Sequence, residues 1–187
     1  PEGTLPLDEY AVQMQETYGD GWKEAYPAGD PQQAYRLMRR TSGDTTFAQS
    51  LLSAQYAANS NQDMSAYVYY FDNPPPGRNS EYFGSWHSAD LWYFFNSMRR
   101  EEGQRPWTEA DFRLAETMST YLANFVKTGD PNGAGLPVWP TADDGEFVRF
   151  ADGYAYPVDS TPHPGRDALN QQNVMKEWGI IEEDLGG

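Results

Sequence analysis

Imidazole is the side chain best suited to moving protons near neutral pH, and this chain holds two histidines among its 187 residues. One of them, His87, lies in the run Gly84-Ser85-Trp86-His87-Ser88-Ala89-Asp90-Leu91-Trp92-Tyr93-Phe94-Phe95. Small residues precede it and a strongly aromatic run follows. A histidine acting as general base needs a nucleophile to activate and an acid to orient it. The chain has no Gly-x-Ser-x-Gly elbow. Ser85 and Ser88 flank the histidine, and adjacency alone does not build a triad, so both read as loop and cap serines. Asp90 can cap the next helix, hydrogen-bond the histidine loop or join His87 at a metal. With two histidines, no cysteine and no ligand-rich motif, neither a metal nor a cofactor is expected. His163 sits between Pro162 and Pro164 with no evident partner. Asp143-Asp144 and Glu182-Glu183-Asp184 lack the spaced loop of a calcium site and read as solvated charge. From residue type and position alone, a loop histidine that only hydrogen-bonds its neighbours fits His87 better than a catalytic base does.

The elements that must position this loop follow from periodicity. Upstream, Tyr67-Val68-Tyr69-Tyr70-Phe71 is aromatic or β-branched throughout, the pattern of a strand covered on both faces. Asn73-Pro74-Pro75-Pro76-Gly77 cannot continue it, because proline has no ladder N–H. This run begins a stiff loop to Trp86; a triple proline can also dock on a partner as a polyproline II segment. Ser88 or Asp90 starts a short helix. Thr108-Glu109-Ala110-Asp111 resembles a capping box with aspartate in the usual glutamate position. It opens a helix to Lys127 whose apolar stripe is Leu114, Met118, Tyr121, Leu122 and Phe125. Leu136 to Pro140 should be extended, with Trp139 inward.

Earlier in the chain, a helix is predicted to Tyr18, with Tyr10, Met14 and Thr17 on one face. A helical turn follows from Trp22 to Tyr26. Another helix is capped by Asp30 and ends near Ser42-Gly43, and a separate one capped by Asp44 runs to Ala58, before the polar turn Asn59 to Asp63. Later, Glu146 to Phe150 is half polar and reads as an edge strand, with Tyr154-Ala155-Tyr156 a weaker strand. A last helix spans about Arg166 to Trp178, and the acidic tail should fray. One fully apolar strand without similar partners, in a chain opening Pro1-Glu2-Gly3, predicts a piece of a larger sheet.

Bulk composition narrows the function classes. The net charge is −15, which disfavours nucleic acid and anionic membranes as partners. Hydrophobic content of 39% and aromatic content of 15% predict a packed core. The absence of cysteine leaves the compartment open between secreted, periplasmic and cytoplasmic.

The segment Gly84 to Phe95 resembles the catalytic-histidine segment of type B carboxylesterases, the cholinesterase-like branch of the α/β-hydrolases that includes bacterial para-nitrobenzyl esterases. Asn124-Phe125-Val126-Lys127-Thr128-Gly129-Asp130-Pro131-Asn132, followed by Leu136-Pro137-Val138-Trp139-Pro140, resembles that family's helix end and tryptophan-proline segment. Tyr67 to Asp72 resembles the strand feeding the histidine loop. In order and spacing the likeness runs from about Tyr10 to Trp178.

The resemblance implies the C-terminal part of an α/β-hydrolase fold, helix-rich, with a few strands of an incomplete sheet. It further implies a Ser…Glu…His enzyme acting on small carboxylic esters, with His87 as the histidine. On this reading residues 1–65 form a helical segment, and 66–187 carry the last strands, the histidine loop and the C-terminal helices. The serine, the acid and the oxyanion hole would lie upstream. The isolated piece is then expected to be inactive and to self-associate, or to pair with the missing N-terminal portion. Two other classes stay open: a non-catalytic α/β-hydrolase-like module for binding or adhesion, and an aromatic-rich ligand-binding domain, for carbohydrate for instance.

Overall fold

The computed structural model describes residues 3–61 and 64–186. The expected polar turn at Asn59 to Asp63 falls partly outside them, at Gln62 and Asp63. The architecture is helix-rich α/β with a small open mixed sheet, the class expected. The chain forms two compact units. The first gathers the chain up to Ala66, Ala142–Gly145 and the chain from Ser160; the second gathers Tyr67–Thr141 and Glu146–Asp159.

The first unit is helical. α1 (Leu7–Tyr18) carries Asp8 and Glu9 in its first turn, where acids favour the helix dipole. It buries Tyr10, Met14 and Tyr18; Thr17, expected inward, is exposed and bonds the Gln13 carbonyl instead. A 3₁₀ turn (Gly19–Gly21) and α2 (Trp22–Ala25) lead to α3 (Pro31–Ser60). The Asp30 side chain caps α3, accepting from the N–H groups of Gln32 and Gln33 at 2.9 and 2.8 Å.

α3 corrects the sequence reading, which placed a break at Ser42-Gly43 and a new cap at Asp44. A glycine inside a helix costs about 1 kcal/mol, and packing along α7 (Pro164–Trp178) outweighs that. The Asp44 carboxylate serves another purpose. It accepts from Tyr26 Oη at 2.8 Å, Tyr26 Oη accepts from Asn170 Nδ2 at 2.7 Å, and Asn170 Oδ1 accepts from Tyr18 Oη at 3.1 Å and Thr45 Oγ1 at 2.9 Å. This chain of bonds ties α1, α3 and α7 around the cluster of Tyr10, Met14, Tyr18, Tyr26, Ala34 and Leu37. Burial pushes the Asp44 carboxyl above its ordinary range, against the opposing pull of Tyr26 and the nearby Arg166 and Arg40. The acidic tail, expected to fray, forms a 3₁₀ turn over Glu182–Leu185, and Leu185 packs against the Ala48, Leu52 and Val174 cluster.

The second unit holds the sheet, in the order β1 (Tyr69–Phe71), β2 (Phe147–Ala151), β3 (Tyr154–Val158). β1 runs parallel to β2, with Tyr69, Tyr70 and Phe71 opposite Val148, Arg149 and Phe150. β2 and β3 form an antiparallel hairpin across Asp152-Gly153. Both turn residues have positive φ, +52° and +80°, as a tight Asp-Gly hairpin turn requires. A side chain at position 153 would also collide with Ala110, 2.8 Å from its Cβ.

One strand assignment is corrected. β2 is the middle strand of the described sheet rather than an edge, and it is nearly fully buried; β1 lies at one side of the described strands, half-buried throughout. The polar residue that made β2 look half exposed, Arg149, is paired: its Nε and Nη2 donate to Asp72 Oδ2 at 3.0 and 2.6 Å. A charge neutralised at the end of the neighbouring strand can sit between two other strands.

Against the sheet lies α6 (Glu109–Thr128), with Leu114, Ala115, Met118 and Tyr121 buried. The aspartate capping box is present in both directions. Trp139 turns inward as expected, 6% exposed. Its indole meets Tyr121, Phe150 and Tyr69 edge-on, with centroids 5.1, 5.4 and 6.1 Å away, and its Nε1–H donates to the Val68 carbonyl at 3.0 Å.

Two outcomes follow. Trp139→Ala should lose about 3–5 kcal/mol of unfolding free energy in urea titration, the usual cost of emptying a buried aromatic site; a loss below about 1 kcal/mol would contradict this packing. Second, burial pushes the hydroxyls of Tyr10 and Tyr121 up to about 12. A group whose folded pKa exceeds its unfolded value of about 10 contributes stability that is complete below pH 10 and is lost as the pH rises towards 12. Melting temperature should therefore fall steeply between pH 10 and 12, with tyrosinate absorbance rising at the transition; a flat profile there would refute the burial of these hydroxyls.

Candidate functional site

The chain leaves β1 through Asp72 and Asn73 and enters the triple-proline loop. A short helix not foreseen in the sequence, α4 (Ser80–Phe83), interrupts that loop. Gly84 follows with φ +58°, a value glycine adopts at little cost. The chain then presents Trp86, His87 and Ser88 before α5 (Leu91–Phe94). Strand, histidine loop and helix thus occur in the order expected.

His87 is exposed. Its Nδ1 lies 2.7 Å from Ser88 Oγ. Among the described residues no carboxylate hydrogen-bonds the ring. Ser88 has φ +68°, a left-handed conformation that is costly for a residue with a Cβ and survives where surroundings hold it. It does not cap α5 with its side chain. Ser85 Oγ is buried with no hydrogen-bond partner among the described residues.

Asp90 does neither of the first two things open to it. Its side chain forms no cap bond to α5 and no bond to His87. It accepts a hydrogen bond from Tyr69 Oη at 2.6 Å, so the strand and the start of α5 are tied together directly beneath the loop. Burial, then Asp90 itself, raises the Tyr69 hydroxyl well above its ordinary range, so it remains a donor. The small Ala89 is fully buried and donates its N–H to the Trp86 carbonyl at 3.0 Å.

The aromatic run divides by face. Tyr93 is fully buried, Trp92 and Phe94 are half-buried, and Leu91 and Phe95 are 47% and 67% exposed. It is therefore part core and part surface. Tyr69 was read from sequence only as a strand residue; its role in fixing the loop is visible only once Asp90 is seen beneath it.

A surface cavity of about 420 Å³ in this unit is lined by Arg99 to Trp107 and Phe112 and does not include His87. His163 lies in the first unit, half-buried, and burial followed by the nearby Arg166 and Arg40 lowers its pKa. Among the described residues no group of three or more acids, histidines or cysteines could hold a metal ion, and no helix is long and apolar enough to cross a membrane.

Comparison with known proteins places this sequence in a family. The sequence model of the carboxylesterase family matches residues 6–155. Human cocaine esterase is 30% identical over 135 residues, covering 70% of this chain and 24% of that protein. Rat liver carboxylesterase 1F is 34% identical over 83 residues, 44% of this chain and 14% of its own length. The chain thus spans about a quarter or less of these relatives. Among solved structures, an esterase from Clostridium hathewayi that can hydrolyse aliphatic aromatic polyesters aligns over 92% of this chain and 33% of its own, at 18% identity and a TM-score of 0.47. That likeness is too distant to carry an inference. The family match covers most of the chain, histidine loop included: this chain belongs to the carboxylesterase family.

Proposed function

We propose that His87 is the general base of a serine hydrolase of small carboxylic esters, whose nucleophilic serine and orienting acid lie on sequence outside this chain. The observation that carries this reading is the loop itself. An exposed imidazole stands between a parallel strand and a helix, with Nδ1 bonded, among the described residues, only to the hydroxyl of its neighbour Ser88. In a serine-histidine-acid triad Nδ1–H is where the carboxylate binds, and Nε2 takes the proton. Ser88 Oγ occupies the acid's position and is exposed, so an incoming carboxylate can replace it at little cost.

The chemistry then runs in two halves. Nε2 of His87 removes the serine proton as the hydroxyl attacks the ester carbonyl, and the imidazolium returns that proton to the leaving alcohol. In the second half the neutral Nε2 removes a proton from water as that water attacks the acyl carbonyl, and the imidazolium returns the proton to the serine oxygen as the acyl–serine bond breaks and the carboxylic acid departs. Oxyanion donors must come from the same outside sequence as the serine. The family's name and those of its relatives, esterases and carboxylesterases, support esters as the substrate class. The side of β1 away from β2 is the natural place for a further strand, from the upstream portion or from a second copy of this chain; neither nucleic acid nor membrane is part of this reading.

Two assays test it. This chain and its His87→Ala variant should hydrolyse a para-nitrophenyl ester equally poorly; a clear difference would mean that a nucleophile is present here. In the complete protein, His87→Ala should lower kcat by about 10⁴-fold or more, as loss of a triad histidine does, with the melting temperature unchanged. Retained activity in that variant would overturn the assignment.

A further inference from the structure

We propose that Arg105 is a positioning residue for His87, fixing the histidine loop through Trp86. This rests on the reading of His87 as a general base. The Arg105 guanidinium faces two indoles at once, 4.9 Å from the Trp86 ring centroid and 5.0 Å from that of Trp92. Its Nη1 donates to the Pro76 carbonyl at 3.1 Å. The triple-proline loop passes so close that a Cβ on Gly77 would stand 3.1 Å from the same nitrogen. Ser80 Oγ closes the loop on its other side by donating to the Pro75 carbonyl at 2.8 Å. One side chain thus joins the residue before His87, the helix after it and the loop that leads to it.

The loop needs such a clamp. It begins at Gly84 with φ +58° and ends at Ser88 with φ +68°, and a left-handed serine persists only when neighbouring contacts over-determine it. Trp86 meets Trp92 edge-on at 6.1 Å, and Trp92 meets Trp107 at 5.6 Å, so the cation seats Trp86 on an already packed row. Arginine suits this place because its planar group stacks on rings and forks to a carbonyl at once. Lysine, a compact hydrated charge, does not replace both contacts.

The test is ¹⁵N relaxation on the full chain. The amides of Trp86, His87 and Ser88 should show order parameters near 0.85, and Arg105→Ala should bring them below about 0.6. The His163 amide, in the other unit, serves as control and should not change. Arg105→Lys should also loosen these three amides, by a smaller amount. Unchanged values at Trp86 to Ser88 in Arg105→Ala overturn the proposal. If that variant does not fold, Arg105→Lys decides: loosening confined to the loop supports the clamp, and unchanged order refutes it. Loosening that extends to His163 in both variants also overturns it, because Arg105 would then be a general structural residue. Activity retained by His87→Ala in the complete protein would sink the general-base reading and leave these order parameters standing.

Discussion

The second unit is organised around one carboxylate. Asp111 is 5% exposed, and a buried carboxylate is tolerable only when its oxygens are fully bonded. Oδ2 accepts from the Thr108 N–H at 2.8 Å and the Thr108 hydroxyl at 2.6 Å, while Oδ1 accepts from Tyr93 Oη at 2.7 Å and Asn73 Nδ2 at 3.3 Å. Asn73 passes the connection on, accepting from the Gly153 N–H at 3.2 Å. The start of α6, the middle of α5, the exit of β1 and the β2–β3 turn are thereby fixed to one point. The positive end of α6 adds to the stability of the charge. The histidine loop runs from the exit of β1 to α5, two of the elements so fixed.

Around that polar point the packing is aromatic. Trp139, Tyr121, Phe150 and Tyr69 meet mostly edge-on, an arrangement that aligns ring edges with ring faces and adds about 0.5–1.5 kcal/mol per pair to area burial. The hydroxyls end on carbonyls or acids: Tyr121 on Pro137, Tyr69 on Asp90, Tyr93 on Asp111. The first unit uses the same device, with Tyr18 and Tyr26 stacked at 5.5 Å and their hydroxyls on Asn170. Tyrosine here both fills the core and satisfies the buried acid or amide beside it.

Much of this was legible in the sequence, for local reasons. α6 carries its start signal in Thr108 and Asp111 and its stop in Gly129, so neighbours decide its ends. Trp139 and the histidine loop were also readable. α3 was not, because Ser42-Gly43-Asp44 mimics a stop and a start; Asp44 is instead taken by Tyr26, a partner beyond any local window. β2 was misplaced because Arg149 looks solvent-facing until Asp72 is found beside it. Asp152-Gly153 is a hairpin signal that could have strengthened β3. Arg105 could not be found from sequence, since Trp86, Trp92 and Pro76 reach it only after folding. The exposed His87 was locatable by its setting, but its ring partner was not.

The way the chain is shared between the two units has a practical corollary. The path crosses from one to the other after Ala66, Thr141, Gly145 and Asp159. The unit with the sheet and the histidine loop could be excised as one continuous polypeptide carrying a four-residue excursion, Ala142–Gly145. The helical unit has no such boundary: α3 and α7 that pack together are separated by the whole of the other unit. Cutting the gene at a single point therefore truncates the helical unit, and reconstituting it alone would require a designed splice between distant segments.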